Sequence, residues 1–220
     1  MRVAVFVYGM YREFDRAVPS WKFINDLNCD VYVSSWNHSK QGRFNLYKTI
    51  IETDDYVEFD VDESMFRKHL PNAVIEIHDE KEYSGNPINT YKKFFHWKNC
   101  LRMMKESGKT YDLIMLVRTD LLIESFDYDR FLNFDYKDDE ICGTGMMVIL
   151  KVKPLHIRLH TDLLFYGKSD MISKMIENIP DSGVDCAHTD FAHYLYNLDI
   201  VATDTQDIIR HNLVRPEIKS

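Results

Sequence analysis

Asp112-Leu-Ile-Met-Leu-Val-Arg-Thr-Asp-Leu-Leu-Ile123 is the stretch on which the fold turns. Five consecutive apolar residues, Leu113 to Val117, form the pattern of a strand buried on both faces, as in parallel sheets with helices on each side. Arg118, Thr119 and Asp120 follow at once, and a second apolar run begins at Leu121. Charged groups inside hydrophobic β structure are costly unless they are paired or put to use. In open α/β sheets the carboxyl ends of the strands form the ligand crevice, which is where Arg118 and Asp120 would then stand. There an Asp offers hard oxygen to a divalent cation, and an Arg offers a fork to phosphate. The plain alternative is an Arg118–Asp120 ion pair closing a strand end.

Outward from this segment the chain alternates strand and helix patterns. Arg2 to Val7 reads as a strand ending in a Tyr8-Gly9 turn, with Arg12 a few residues on. The pattern predicts a helix over Val18–Leu27 with Pro19 in its first turn, then a strand over Asp30–Ser34 and a polar loop from Trp36. Asp62 caps a short helix that Pro71 stops near Leu70, and Ala73–Ile77 is a third strand. Tyr91, Phe94, Phe95, Leu101 and Met104 recur at helical spacing within Asn89–Ser107, with Gly108 at the C-terminal cap position. Later stripes, Met171 to Ile179 and Phe191 to Leu198, are core faces of two more helices. The β-α-β-α-β order implies an α/β fold with an open, mostly parallel sheet flanked by helices, in one domain spanning residues 1–220.

Composition removes several classes of function. The 220 residues carry a net charge of −8, from 27 Lys and Arg against 35 Asp and Glu, which argues against a nucleic-acid binder that works by charge. A hydrophobic content of 45% excludes a disordered chain. The apolar run Val3–Val7 is too short for a signal-peptide core or a membrane span. Cys29, Cys100, Cys142 and Cys186 are widely spaced without a paired motif, so reduced, mostly buried thiols and a cytoplasmic location are expected. The acidic stretch Asp127–Glu140 reads as a solvated face.

Other candidates are less specific. Tyr8, Gly9 and Arg12 suit close approach of a nucleotide, with a simple tight turn as the alternative. Asp162, in His160-Thr-Asp162, and Asp190, at the start of the last helix, are candidate bases or sugar orienters; for Asp190 a helix-capping role competes. Arg210 and Arg215 are candidate clamps for a diphosphate, and His211 is a candidate metal ligand. The sequence has neither a G-x-G-x-x-G nor a P-loop motif.

Taken in order, these pieces resemble small glycosyltransferases of the GT-A type, especially those of surface-polysaccharide pathways in bacteria and large viruses or phages. Tyr8-Gly9-Met10-Tyr11-Arg12 is similar to that group's Ser-Gly-x-x-Arg opening, with Tyr in place of Ser. Ser35-Trp36-Asn37 looks like its Thr-Trp-Asn, Asn89-x-Tyr-Lys-Lys-Phe-Phe resembles its central active-site helix, and Arg118-Thr-Asp120 matches the Arg-x-Asp variant of its aspartate metal motif. The resemblance implies a nucleotide-diphosphate-sugar donor bound by residues 1–123, at Tyr8, Gly9, Arg12, Trp36, Asn89, Lys92, Arg118 and Asp120, and a glycan or other hydroxyl acceptor presented by residues 124–220. It also implies a Mn²⁺ or Mg²⁺ ion at Asp120, although Arg118 replaces the first acid of the usual Asp-x-Asp. Two other classes compete: a non-catalytic nucleotide- or glycan-binding module that kept the fold, and another α/β transferase of nucleotidyl or methyl groups. The lack of a Gly-rich loop after the first strand counts against a methyltransferase.

Overall fold

In the computed structural model residues 1–43, 55–143, 148–152, 155–159, 163–186 and 189–214 are described. The first half contributes β1 (Val3–Tyr8), α1 (Phe14–Ala17), α2 (Phe23–Asp26), β2 (Asp30–Trp36), β3 (His38–Arg43), β4 (Asp55–Asp60), α3 (Glu63–Arg67), β5 (Val74–His78) and the long α4 (Asn89–Glu106). The second half contributes β6 (Leu113–Arg118), β7 (Leu121–Phe126), α5 (Tyr128–Asn133), β8 (Glu140–Gly143), β9 (Val148–Val152), β10 (Leu155–Leu159), β11 (Leu164–Lys168), α6 (Ser169–Glu177), α7 (Thr189–Asn197), β12 (Val201–Asp204) and β13 (Ile209–Leu213).

Seven strands form one sheet in the order β12-β8-β11-β6-β1-β2-β5. β5, β2, β1 and β6 pair in parallel, β11 runs antiparallel to both β6 and β8, and β12 returns parallel to β8. The sheet is therefore mixed and mostly parallel, as the sequence predicts. All six residues of β1 are buried, and they alternate strictly between two cores. Val3, Val5 and Val7 face one core with Phe14, Trp21, Phe66 and Phe131; Ala4, Phe6 and Tyr8 face the other with α4, α6 and α7. This is the period-2 geometry of a strand covered on both sides, and β6 repeats it.

The expected helix over Val18–Leu27 is corrected to two short pieces, a 3-10 turn at Val18–Ser20 and α2, preceded by α1. Trp21 leaves helical geometry at ψ 46° and donates its indole N–H to the carbonyl of Leu121 at 2.6 Å, a tertiary bond stronger than local propensity. The polar loop expected from Trp36 is instead the start of a hairpin, β3 against β4. Within Asp127–Glu140 the acids are exposed or partly exposed, as read, but the stretch also builds α5 and seats Phe131 in the core. None of the four cysteines is in a disulfide, and Cys100 and Cys142 are buried. Among the described residues no helix is long and apolar enough to cross a membrane.

Asp62 caps α3 as the sequence implies, its Oδ1 accepting the N–H groups of Ser64 (2.8 Å) and Met65 (3.3 Å). Asp62→Ala should therefore lower the urea midpoint, because two N–H groups at the start of α3 lose their acceptor.

Candidate functional site

Parallel pairing brings the carboxyl ends of four strands to one edge. Tyr8 is in register with Arg118 on one side and Ser34 on the other, and Trp36 with His78. The turn after β1 is made by Gly9 at φ 104° and Arg12 at φ 31°, the latter a left-handed conformation that non-glycine residues rarely adopt. Side chains fix this turn: Ser35 Oγ donates to the Gly9 carbonyl (2.7 Å), and the Arg12 N–H donates to Ser39 Oγ (2.7 Å). Thr119 clamps it from the β6 side, its hydroxyl donating to the Met10 carbonyl and its N–H to that of Tyr8.

Arg118 and Asp120 form a bidentate pair, Nε to Oδ1 at 2.6 Å and Nη2 to Oδ2 at 2.7 Å. Arg12 approaches the same carboxylate, Nη1 to Oδ2 at 3.6 Å. The Asp120 side chain is 7% exposed, whereas those of Arg12 and Arg118 keep 26% and 22%. The carboxylate is thus more shielded than the two arginine side chains beside it. From the other side, the Asp120 carbonyl accepts the N–H of Val214, where β13 ends after pairing with β7.

The other candidates are distributed around this cluster. Tyr8 and Trp36 are buried: Tyr8 meets Trp97 edge to face, and Trp36 stacks on Phe95 with ring centroids 5.2 Å apart. Asn89 opens α4 and is exposed, while Lys92 is ion-paired with Glu80, which also binds His38. Asp190, in the first turn of α7, accepts the Cys186 N–H at 2.8 Å. That segment is tied to the start of α4, since Thr90 donates to the Asp185 carbonyl. Arg210 is exposed opposite Ser125 and His211 sits opposite Ile123, both further along the β7–β13 ribbon from Asp120 than Leu213. Asp162 and Arg215 lie outside the described residues.

The donor set can be compared with the divalent cation that the resemblance implies. Both oxygens of Asp120 are taken by a guanidinium, with a second guanidinium beside them. Among the described residues no group of three or more His, Cys, Asp and Glu side chains is gathered as a metal site. These residues do not fit a divalent cation.

A polar network at the same edge escapes sequence reasoning. Ser34 Oγ lies 2.8 Å from His96 Nδ1 and 3.1 Å from His78 Nε2. Its only signal is a pair of serines ending an apolar strand, and His78 and His96 look ordinary in isolation. Burial lowers the pKa of His78 and, more strongly, that of His96, to about 3. The unfolded chain takes up a proton near pH ~6.5 and the folded His96 does not, so this contribution to stability is present above pH ~6.5 and lost as pH falls toward 3. Between pH 6.5 and 5 the loss should be about 2 kcal/mol in urea unfolding. His96→Asn should be less stable at pH 7 and lose less on acidification.

No protein-family model and no curated protein matches the sequence. Among solved structures, the chain is similar to the galactosyltransferase LgtC in complex with donor and acceptor sugar analogs, at 8% identity and TM-score 0.48, covering 91% of this chain and 73% of that one. It is similar to the apo-form glycosyltransferase GlyE of Streptococcus pneumoniae TIGR4 at 11% and 0.45, covering 94% of this chain and 46% of GlyE, so it spans less than half of that protein. A nucleoside-diphosphate-sugar pyrophosphorylase from Vibrio cholerae RC9 is similar at 11% and 0.46, covering 94% and 93%. These are loose likenesses, and they carry no activity over to this chain.

Proposed function

We propose that this chain is a glycosyltransferase that moves a sugar from a nucleotide-diphosphate donor to a hydroxyl of a glycan or other acceptor. One observation carries the reading: Arg12, on a strained turn, meets Arg118 and Asp120 from a distant part of the chain at the carboxyl edge of the parallel strands, where α/β sheets bind ligands. In the reaction the bond between the anomeric carbon and the diphosphate oxygen breaks, and a bond to the acceptor oxygen forms. The bonding electrons leave with the nucleoside diphosphate, whose growing negative charge guanidinium groups can stabilise. An inverting course passes the acceptor proton to a carboxylate, for which Asp162 and Asp190 are the candidates; a retaining course needs no such base. The donor is assigned to residues 1–123 and the acceptor to residues 124–220.

A second reading, a binding module without turnover, is favoured by the tight Arg118–Asp120 pairing, which also suits a purely structural role. A thermal-shift screen against UDP, GDP, CDP, TDP and their sugars separates the two when followed by assay of nucleoside diphosphate release. A ligand at 100 times its Kd should stabilise by ~2.7 kcal/mol. Stabilisation by one nucleotide with release from its sugar supports the transferase. Stabilisation without release supports the module, and no stabilisation removes the nucleotide site.

A further inference from the structure

Three buried hydroxyls converge on the backbone of one short turn. Ser35, Ser39 and Thr119 are each at most 1% exposed, and they come from β2, β3 and the residue after β6. Ser35 Oγ donates to the Gly9 carbonyl at 2.7 Å, Thr119 Oγ1 donates to the Met10 carbonyl, and Ser39 Oγ accepts the Arg12 N–H at 2.7 Å. The turn needs such support. Gly9 takes its φ of 104° at no steric cost, but Arg12 at φ 31° does not. A strained residue persists only where its surroundings over-determine it, and such residues cluster at ligand clamps. Thr119 differs from the two serines in where it stands. It is the middle residue of Arg118-Thr-Asp120, whose outer side chains bind each other while its own turns to Met10. Its N–H also donates to the Tyr8 carbonyl at 3.3 Å. Two bonds from one residue therefore set the Arg118–Asp120 pair against the turn, and across that junction Arg12 Nη1 comes to 3.6 Å from Asp120 Oδ2.

Given the transferase reading, on which this inference rests, we propose that Thr119 is a positioning residue. Its hydroxyl, with those of Ser35 and Ser39, fixes residues 9–12 so that the Arg12 side chain meets the nucleotide of the donor beside Arg118 and Asp120.

Calorimetric titration of the full chain with UDP, GDP, CDP and TDP, each with Mg²⁺ and with EDTA, gives the nucleotide that binds, and a double-mutant cycle with Arg12 then tests the positioning. Thr119→Val, which removes the hydroxyl, should weaken that nucleotide about 3–10-fold, the worth of one hydrogen bond. Thr119→Ser, which keeps the hydroxyl, should bind within about twofold of wild type. In the Arg12→Gln background Thr119→Val should change affinity by less than about twofold, because the guanidinium it places is gone. Its effect on Tm should persist in that background, which separates positioning from stability. If Thr119→Val does not fold, Ser39→Ala enters the same cycle, since it removes the acceptor of the Arg12 N–H. Losses that add in full, or wild-type affinity in the folded hydroxyl variant, overturn the inference and leave the transferase reading standing. Equal losses in Thr119→Val and Thr119→Ser also overturn it. Failure of all four nucleotides to bind the wild-type chain removes the transferase reading and the inference together.

Discussion

Asp120→Asn is expected to cut donor turnover about 100-fold while nucleoside diphosphate affinity holds or tightens. The two effects have separate causes. Removing the carboxylate takes one negative charge from beside Arg118 and Arg12, which favours a bound diphosphate. The same change takes one acceptor from the Arg118 fork, and a misplacement of ~1 Å at a reacting group is enough for about 10²-fold in rate. Stability should fall as well, because the carboxylate is buried and two hydrogen bonds from Arg118 end on it. Loss of such a charged hydrogen bond costs about 1.5–3 kcal/mol, or roughly 3–12 °C in Tm for a domain of this size. Measuring kcat, Kd and Tm on one preparation keeps the effects apart. A purely structural Asp120 would lower Tm and leave kcat of the folded enzyme unchanged. Weaker nucleotide binding that responds to Mn²⁺ would make Asp120 a metal ligand instead.

What could be read from the sequence was the part that depends on local periodicity. Val3–Val7 and Leu113–Val117 announce strands covered on both faces because every residue is apolar, and Asp62 and Gly108 mark helix ends by cap chemistry. The placement of Arg118 and Asp120 at a strand end followed from the same run, and Gly9 does take the positive φ that its turn requires. Features set by distant partners were not readable. Trp21 breaks the expected Val18–Leu27 helix because its indole reaches Leu121, a hundred residues away. β11 carries no local sign that it will enter the sheet against the others. Arg12 and Asp120 share no pattern in the chain, and the Ser39 hydroxyl that fixes Arg12 lies on a hairpin where a loop was expected. The pairing of Arg118 with Asp120 was one of two alternatives in the sequence. The structure shows that pair, with Arg12 beside it.

Trp97→Ala should be the most destabilising of the single substitutions considered, by about 3–5 kcal/mol, which is the range for truncating a large aromatic in a core. Trp97 is fully buried on α4 and stands between elements that come from all parts of the chain. Its ring lies 5.5 Å from Tyr8 on β1, 6.0 Å from Phe165 on β11 and 5.8 Å from Phe191 on α7. Urea unfolding should show a lower midpoint with little change in slope, since the cavity weakens the native state without altering the unfolded chain. Trp97→Phe is the informative partner. The indole Nε1 is buried with no hydrogen-bond acceptor among the described residues, and an unsatisfied buried donor is itself destabilising by about 1–3 kcal/mol. Phenylalanine keeps most of the aromatic contact and removes that donor, so its cost should be less than half that of alanine. Equal losses would mean that Nε1 is satisfied by an ordered water, which is then part of the core. The same pair of variants connects packing to the site. Tyr8 rests edge to face on Trp97, and its carbonyl receives the Thr119 N–H that holds Arg118 and Asp120 in place. Trp97→Ala should therefore weaken nucleotide binding even well below its melting point, and Trp97→Phe should not.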